Sequence, residues 1–456
     1  MSFISLEFVL LFLLCFTSYH FVSDKRRKFV LLAASGVFIG YFNPAFLVTA
    51  LVVSLFTYGA AILIEQAREK GRGSRLIYWG GIFCLVLCWM GFRYANRLTG
   101  DSGFIFPLGM SFYTFQAIGY LTEVYWEEEK AERRPIDFLL YMLLFMKFLS
   151  GPIERSADLL PQVRKLSPVS YSMMTYGLKL IVVGLVKKLV LADHIAPYID
   201  GVFSSMHTAS GVQLLMACLL YPIELYADFS GYTDMAIGIG MLFGLKLSPN
   251  FAHPFAAQTT AEFWRRWHIS LGGWFRDYLY IPLGGNRVKP IRHVFNILVV
   301  WAATGFWHGA SWNFIFWGLL YAVLLLFEKY ILHPKRRHAV PMHIYTMLFV
   351  VLGFVLFDSA SIADAFVSFK SLFGLAGIPA ANTASLYYLK SNLILLIIAA
   401  LGATPLPKRI YEKIGGTAGG SRVLAVLTPT ATVASIAVCT AYLIDGSFNP
   451  FVYFRF

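Results

Sequence analysis

The chain alternates long apolar runs with short polar breaks. The clearest runs cover 3–21, 46–64, 76–90, 178–191, 295–307, 313–327, 346–357, 393–401 and 423–444. A helix needs about 20 residues to cross bilayer hydrocarbon, and several runs reach that length with modest extension. The shorter runs suit tilted, re-entrant or shielded helices, because lipid leaves backbone polar groups no partner except the chain itself. The pattern predicts about ten to thirteen helical segments in an all-α, polytopic transmembrane bundle, with residues 1–456 forming one domain. The longest loops, 126–138 and 358–390, are too short to fold alone. All chemistry must then be built inside or at the edge of the bundle.

Composition agrees with that reading. Of 456 residues, 58% are hydrophobic and 14% charged, against about 25% charged in soluble domains. The formal charge of +13 changes the picture only through its distribution. The cations sit in clusters at 25–28, 68–75, 133–134, 335–337 and 408–413, between apolar runs. This is the positive-inside pattern of a membrane protein and excludes a nucleic-acid-binding face. A basic surface for anionic lipid is a secondary reading of the same clusters. With the clusters on the cytoplasmic side, both termini fall outside, which requires an even number of crossings. Positive charges follow the first run instead of preceding it, and no small-residue cleavage pattern is evident, so the run reads as a retained helix. The five cysteines all lie in apolar runs without ligand spacing to His or carboxylate, and read as packing residues.

Ionisable residues in apolar sequence are costly and mark functional sites. They concentrate between 221 and 313. Glu224, Asp228 and Asp234 lie in a mostly apolar stretch whose Phe229-Ser230-Gly231-Tyr232 step predicts a helix break. Asp228 and Asp234, with Asp277, Trp307 and Asn313 further on, suit an orienting or tunnel-lining role, while the three carboxylates here equally suit structural pairing with helix ends and arginines. Residues 261–281 mix Trp, Arg and His with apolar residues, as an amphipathic helix at a membrane surface does. Arg265, Arg266 and Arg276 are candidate contacts for donor phosphates, since guanidinium forks match phosphate. They equally suit headgroup anchoring or, for Arg276, pairing with Asp277. His308, in Trp307-His308-Gly309 and near Asn313, is the most isolated ionisable group. Burial would keep it neutral and able to take a proton from a hydroxyl. A structural histidine with a hydrogen-bonding neighbour fits the same pattern. His253, His268, His293 and His308 lack the i, i+4 spacing of a helical metal site, so no metal is expected. P-loop, Gly-x-Ser-x-Gly and dinucleotide fingerprints are missing as well.

Several stretches resemble the membrane-bound O-acyltransferase (MBOAT) superfamily, alginate O-acetyltransferase type. They are 106–116, 150–155, 228–238, 262–286, 307–312 and the carboxy-terminal 449–456, in order along nearly the whole chain. The resemblance implies a hollow helical bundle with a central funnel, a catalytic core at roughly 104–330 and an aromatic tail at 446–456. The family's catalytic histidine falls on His308 and its supporting histidine on His268. It further implies an acyl-CoA donor, most simply acetyl-CoA, reaching His308 by a cytoplasmic tunnel, with no tightly bound cofactor. The tail's matching Tyr453 is a candidate acyl acceptor, its phenol needing a base to become a nucleophile. Membrane lipids surround such an enzyme in the cell inner membrane, and a separate extracytoplasmic acyltransferase would complete transfer to polymer. A D-alanyl or other acyl group, or transport without covalent chemistry, are the competing expectations.

Overall fold

A computed structural model describes residues 1–95, 105–149, 151–166, 168–205, 208–309, 311–334, 339–359, 361–372, 375, 377 and 379–445. Tyr453 and the rest of the aromatic tail lie outside the described residues. Every regular element among those described is helical. Six of the helices are long and apolar enough to cross a bilayer: Pro44–Glu69, Ser74–Arg93, Gly211–Leu242, Trp312–Leu332, Ala339–Asp358 and Ala418–Ile444. The pair Thr383–Ser391 and Leu393–Gly402, bent by 60°, would make a seventh span. Several apolar runs therefore do not form long spans. The run at 178–191, for example, leaves the helix Tyr171–Leu185 and enters a π-helical segment, Val186–Ala192.

The chain divides into two compact units: Met1–Ile181 with Tyr232–Pro249, and Val182–Gly231 with Asn250–Phe456. The first unit is built on antiparallel helices. Asn43 caps the helix Pro44–Glu69 by accepting the Ala45 amide at 2.9 Å, and Pro44 opens it where no amide partner is needed. That helix packs on Ser74–Arg93 and Met110–Tyr125. Lys147 is buried in this unit, donating to Gln116 and to the Met142 carbonyl at 3.1 Å.

The predicted break at Phe229-Ser230-Gly231-Tyr232 does not occur, because Gly211–Leu242 is one continuous helix through it, belonging up to Gly231 to the second unit. Gly231 serves close packing instead of a turn. A Cβ there would stand 2.8 Å from the Gly184 carbonyl and 3.3 Å from the Lys188 amide. This contact presses the long helix onto the π-helical segment. Lys188 on that segment is 1% exposed and meets Asp193 at 2.8 Å and Asp228 at 2.9 Å, so Asp228 belongs to a buried charge triad.

Two further helices of this unit, Pro290–His308 and Trp312–Phe327, pack closely along each other. A Cβ on Gly305 would collide with the Phe314 carbonyl, and one on Gly318 with the Trp301 carbonyl. Small residues at such points let transmembrane helices approach backbone to backbone. Asn313 donates to the Ser359 carbonyl, tying the start of the second helix to the end of Ala339–Asp358.

Candidate active site

His308 is the last residue of a 19-residue helix, about 27 Å along the axis from its Pro290 end. The residue is half-buried and not fully buried as the sequence suggested, and its ring is flanked by aromatic neighbours. Trp307 lies 4.5 Å away between ring centroids, Trp317 5.0 Å and Phe357 5.1 Å, each roughly edge to face, and Phe314 stacks at 6.3 Å. Trp317 and Phe357 are buried. The Gly305–Gly318 approach sets Trp317 against His308, while the Asn313 tether holds the helix bearing Phe357. Asn313 thus shapes the site through the backbone.

His268 reaches the same place by a different local device. The expected amphipathic helix over 261–281 is broken into Thr260–Arg266 and Ile269–Phe275, with His268 at the break in a left-handed conformation, φ 45°. That conformation costs a non-glycine residue about 1–2 kcal/mol and persists only where the surroundings fix it. Asn250 does the fixing. Its carbonyl accepts the Ile269 amide at 2.9 Å, and its Oδ1 accepts the Ser270 amide at 3.1 Å and the Ser270 hydroxyl at 2.9 Å. These donors identify Oδ1 as the oxygen, so His268 Nδ1, at 3.2 Å from it, is the protonated nitrogen. The neutral ring therefore carries its lone pair on Nε2. Burial holds the conjugate acid of His268 well below the usual histidine range. An acidic limb in the pH–rate profile near neutrality would consequently belong to another group.

Trp307 is the ring the two histidines share. His268 stands 6.4 Å from it and His308 4.5 Å. On its other side His268 meets Phe229 edge to face at 4.8 Å, next in sequence to Asp228. The structure thus joins His268, His308 and Trp307, with Asn313 supporting from one side.

The other candidates are placed differently. Asp277 pairs with the adjacent Arg276 at 2.6 and 3.0 Å. Arg265 is exposed at the end of its helix, and Arg266 pairs with Glu262 at 2.5 Å. Glu224 is buried on the helix Gly211–Leu242, and Asp234 lies on the part of that helix belonging to the first unit. Asn250 was missed by sequence reasoning. The only signal for it was a polar residue beside a proline, in Ser248-Pro249-Asn250, 18 positions before its partner.

Asn250→Ala removes the acceptor that sets both the His268 tautomer and its backbone. Activity is expected to fall roughly 10- to 100-fold, the order lost when the partners that orient metal-bound histidines are removed. Turnover by purified variants checks this, with Asn250→Asp as the partial rescue that keeps an acceptor.

A model of the membrane-bound O-acyltransferase family matches residues 132–359. This interval contains His268, Trp307, His308 and Asn250. A protein of Azotobacter vinelandii named "Probable alginate O-acetylase AlgI" is 32% identical over 100% of both chains. The "Peptidoglycan O-acetyltransferase" of Helicobacter pylori is 34% identical over 77% of this chain and 74% of its own. The "Teichoic acid D-alanyltransferase" of Bacillus subtilis is 28% identical over 68% of this chain and 85% of its own.

Proposed function

The chain belongs to the membrane-bound O-acyltransferase family, and from that premise we propose that it passes an acetyl group from cytoplasmic acetyl-CoA to an outward-facing hydroxyl, for O-acetylation of an envelope or secreted polysaccharide such as alginate or peptidoglycan. The observation that carries the proposal is the shared placement of His268 and His308 on Trp307 within an aromatic enclosure. Aromatic walls around a half-buried ring limit the water beside it, which would otherwise hydrolyse the thioester, and strengthen hydrogen bonds to developing charge.

His308 acts as general base. Its imidazole takes the proton of the attacking hydroxyl as the oxygen bonds to the thioester carbonyl carbon. The tetrahedral oxyanion then collapses, the carbon–sulfur bond breaks, and the departing thiolate recovers the proton from the imidazolium. His268, with its proton fixed on Nδ1, presents Nε2 as an acceptor that orients the incoming hydroxyl. Trp307 keeps the two rings apart and fills the space that a second water would occupy.

The charge clusters favour entry of the donor from the cytoplasmic side, with both termini outside. His308 then lies at the far end of its helix from the basic Lys289 and Arg292, so the donor must reach inward through a tunnel. Tyr453 is the proposed first acceptor, and a separate extracytoplasmic acyltransferase moves the acetyl group to polymer. D-alanyl transfer is the second reading, favoured by the teichoic acid D-alanyltransferase relatives. Acetyl is preferred because the acetylase relative matches over the full chain at higher identity.

Vesicles holding the full chain, given labelled acetyl-CoA outside or inside, test donor and side together. Intact mass of the carboxy-terminal peptide under turnover should show one added acetyl group, absent in Tyr453→Phe. An unmodified Tyr453 in an active enzyme removes the relay and leaves the His308 step standing.

A further inference from the structure

A pocket of about 400 Å³ is lined by His253, Gln258, Glu262, Arg266, Lys408 and Arg409 among others. Its volume is within the range of small-molecule sites. Neither His268 nor His308 lines it.

Its walls come from two sources. One is the turn around His253, which holds a left-handed conformation at φ 50°, leads into the short 3₁₀ turn Pro254–Ala256 and is followed by the helix Thr260–Arg266. The other is the helix Leu406–Gly415, which carries Lys408, Arg409 and Glu412.

The carboxylates of the pocket are already engaged. Glu262 is paired with Arg266 at 2.5 Å and also accepts the Gln258 amide at 2.8 Å. Glu412 faces Lys408 at 3.9 Å. Arg409 has no carboxylate partner among the described residues. His253 Nδ1 is buried and has no hydrogen-bond partner among the described residues. The pocket therefore holds surplus positive charge together with an unused histidine nitrogen.

Burial first, and then the charges of Lys408, Lys187, Arg266 and Arg409, hold the conjugate acid of His253 below its usual range. An anion seated among these groups would offset that repulsion.

We infer that this pocket binds the phosphate of an anionic ligand, with Arg409 as its principal charge and His253 as a second contact. A guanidinium matches two phosphate oxygens, and surplus charge in a partly enclosed site is worth more than on open surface. The helix Leu406–Gly415 has no buried residue and exposes Leu406, Ile410, Tyr411 and Ile414 beside its cations. Helices of that character lie in the membrane interface with cations at headgroup depth. The phosphate can thus come from an anionic lipid headgroup or from a soluble phosphate ester, and both present the same group. The inference stands on the pocket's own charges and does not depend on the acyl-transfer reading.

The test is thermal unfolding of the full chain in phosphatidylcholine nanodiscs, titrated with inorganic pyrophosphate, and in parallel nanodiscs containing phosphatidylglycerol. A ligand that binds only the folded state raises the midpoint in proportion to its occupancy. Stabilisation by pyrophosphate in phosphatidylcholine that is undiminished by phosphatidylglycerol identifies a soluble phosphate. Stabilisation by phosphatidylglycerol that displaces pyrophosphate identifies the headgroup. In either case Arg409→Gln should weaken the effect about tenfold, close to the loss of one charge-assisted hydrogen bond. His253→Asn should weaken it as well, and asparagine tolerates the left-handed backbone. Arg409→Lys should restore part of the effect, and Lys70→Gln, an exposed cation elsewhere, should leave it unchanged. No stabilisation by either probe overturns the inference. So does stabilisation that survives the Arg409→Gln/His253→Asn double variant, or an equal loss in Lys70→Gln.

Discussion

His308→Ala is expected to lower acetyl transfer by about three orders of magnitude while leaving the protein folded and inserted. Positioned general bases contribute roughly 10²- to 10⁴-fold, and Trp307, Phe314, Trp317 and Phe357 flank this one on the sides they occupy. The fall should appear in kcat, with KM for the donor nearly unchanged, because the imidazole acts as charge develops and not in holding the thioester. His268→Asn, which tolerates the left-handed backbone, should give a smaller loss and shift the acceptor's KM too. Single-turnover transfer in nanodiscs separates these effects. More than a tenth of wild-type rate in a well-folded His308→Ala variant would remove His308 from the chemical step.

The largest effect on stability is expected at Lys188. Lys188→Met deletes the cation that bridges Asp193 and Asp228 and leaves both carboxylates buried at the junction of the π-helical segment and the long helix without it. Removing one partner of a buried ion pair costs about 3–5 kcal/mol, mostly through the charge left behind. Replacing all three by Met, Leu and Leu should recover much of that loss, since an apolar trio of similar volume needs no compensation. Chemical unfolding in detergent measures both. Asp228 adjoins Phe229, whose ring packs on His268 at 4.8 Å. The single variant should therefore lose activity below its unfolding transition, and the triple variant should regain it. A single variant as stable as wild type would mean the triad carries no net weight.

The all-helical, membrane-embedded character was legible because it follows from sums over long runs, where individual errors cancel. His308 was legible as the polar residue at the end of an uncharged run. The break at His268 was not, because the periodicity of 261–281 is helical throughout. What interrupts it is Asn250, a residue distant in sequence, whose side-chain oxygen accepts three hydrogen bonds and whose carbonyl accepts a fourth. The opposite error occurred at Phe229-Ser230-Gly231-Tyr232. Local composition there favours a break, but the approach to Gly184 and Lys188 rewards a glycine inside an unbroken helix. Arg276 and Asp277 were ambiguous for a third reason. Adjacent charges pair or point outward according to a neighbouring turn, and the π-helical segment Arg276–Tyr280 supplies that turn.

The backbone contact of Gly305 and Gly318 also bears on how the protein is made. Pro290–His308 and Trp312–Phe327 are separated by only three residues, so they leave the ribosome almost together and can pair as one hairpin while the second of them enters the bilayer. Bare lipid is a poor solvent for an imidazole, whereas a hairpin closed at those glycines brings Phe314 and Trp317 alongside His308 from the start. Widening the contact with a bulkier residue would then act during biogenesis, through the fraction of chains that integrate, before it could act on the finished enzyme.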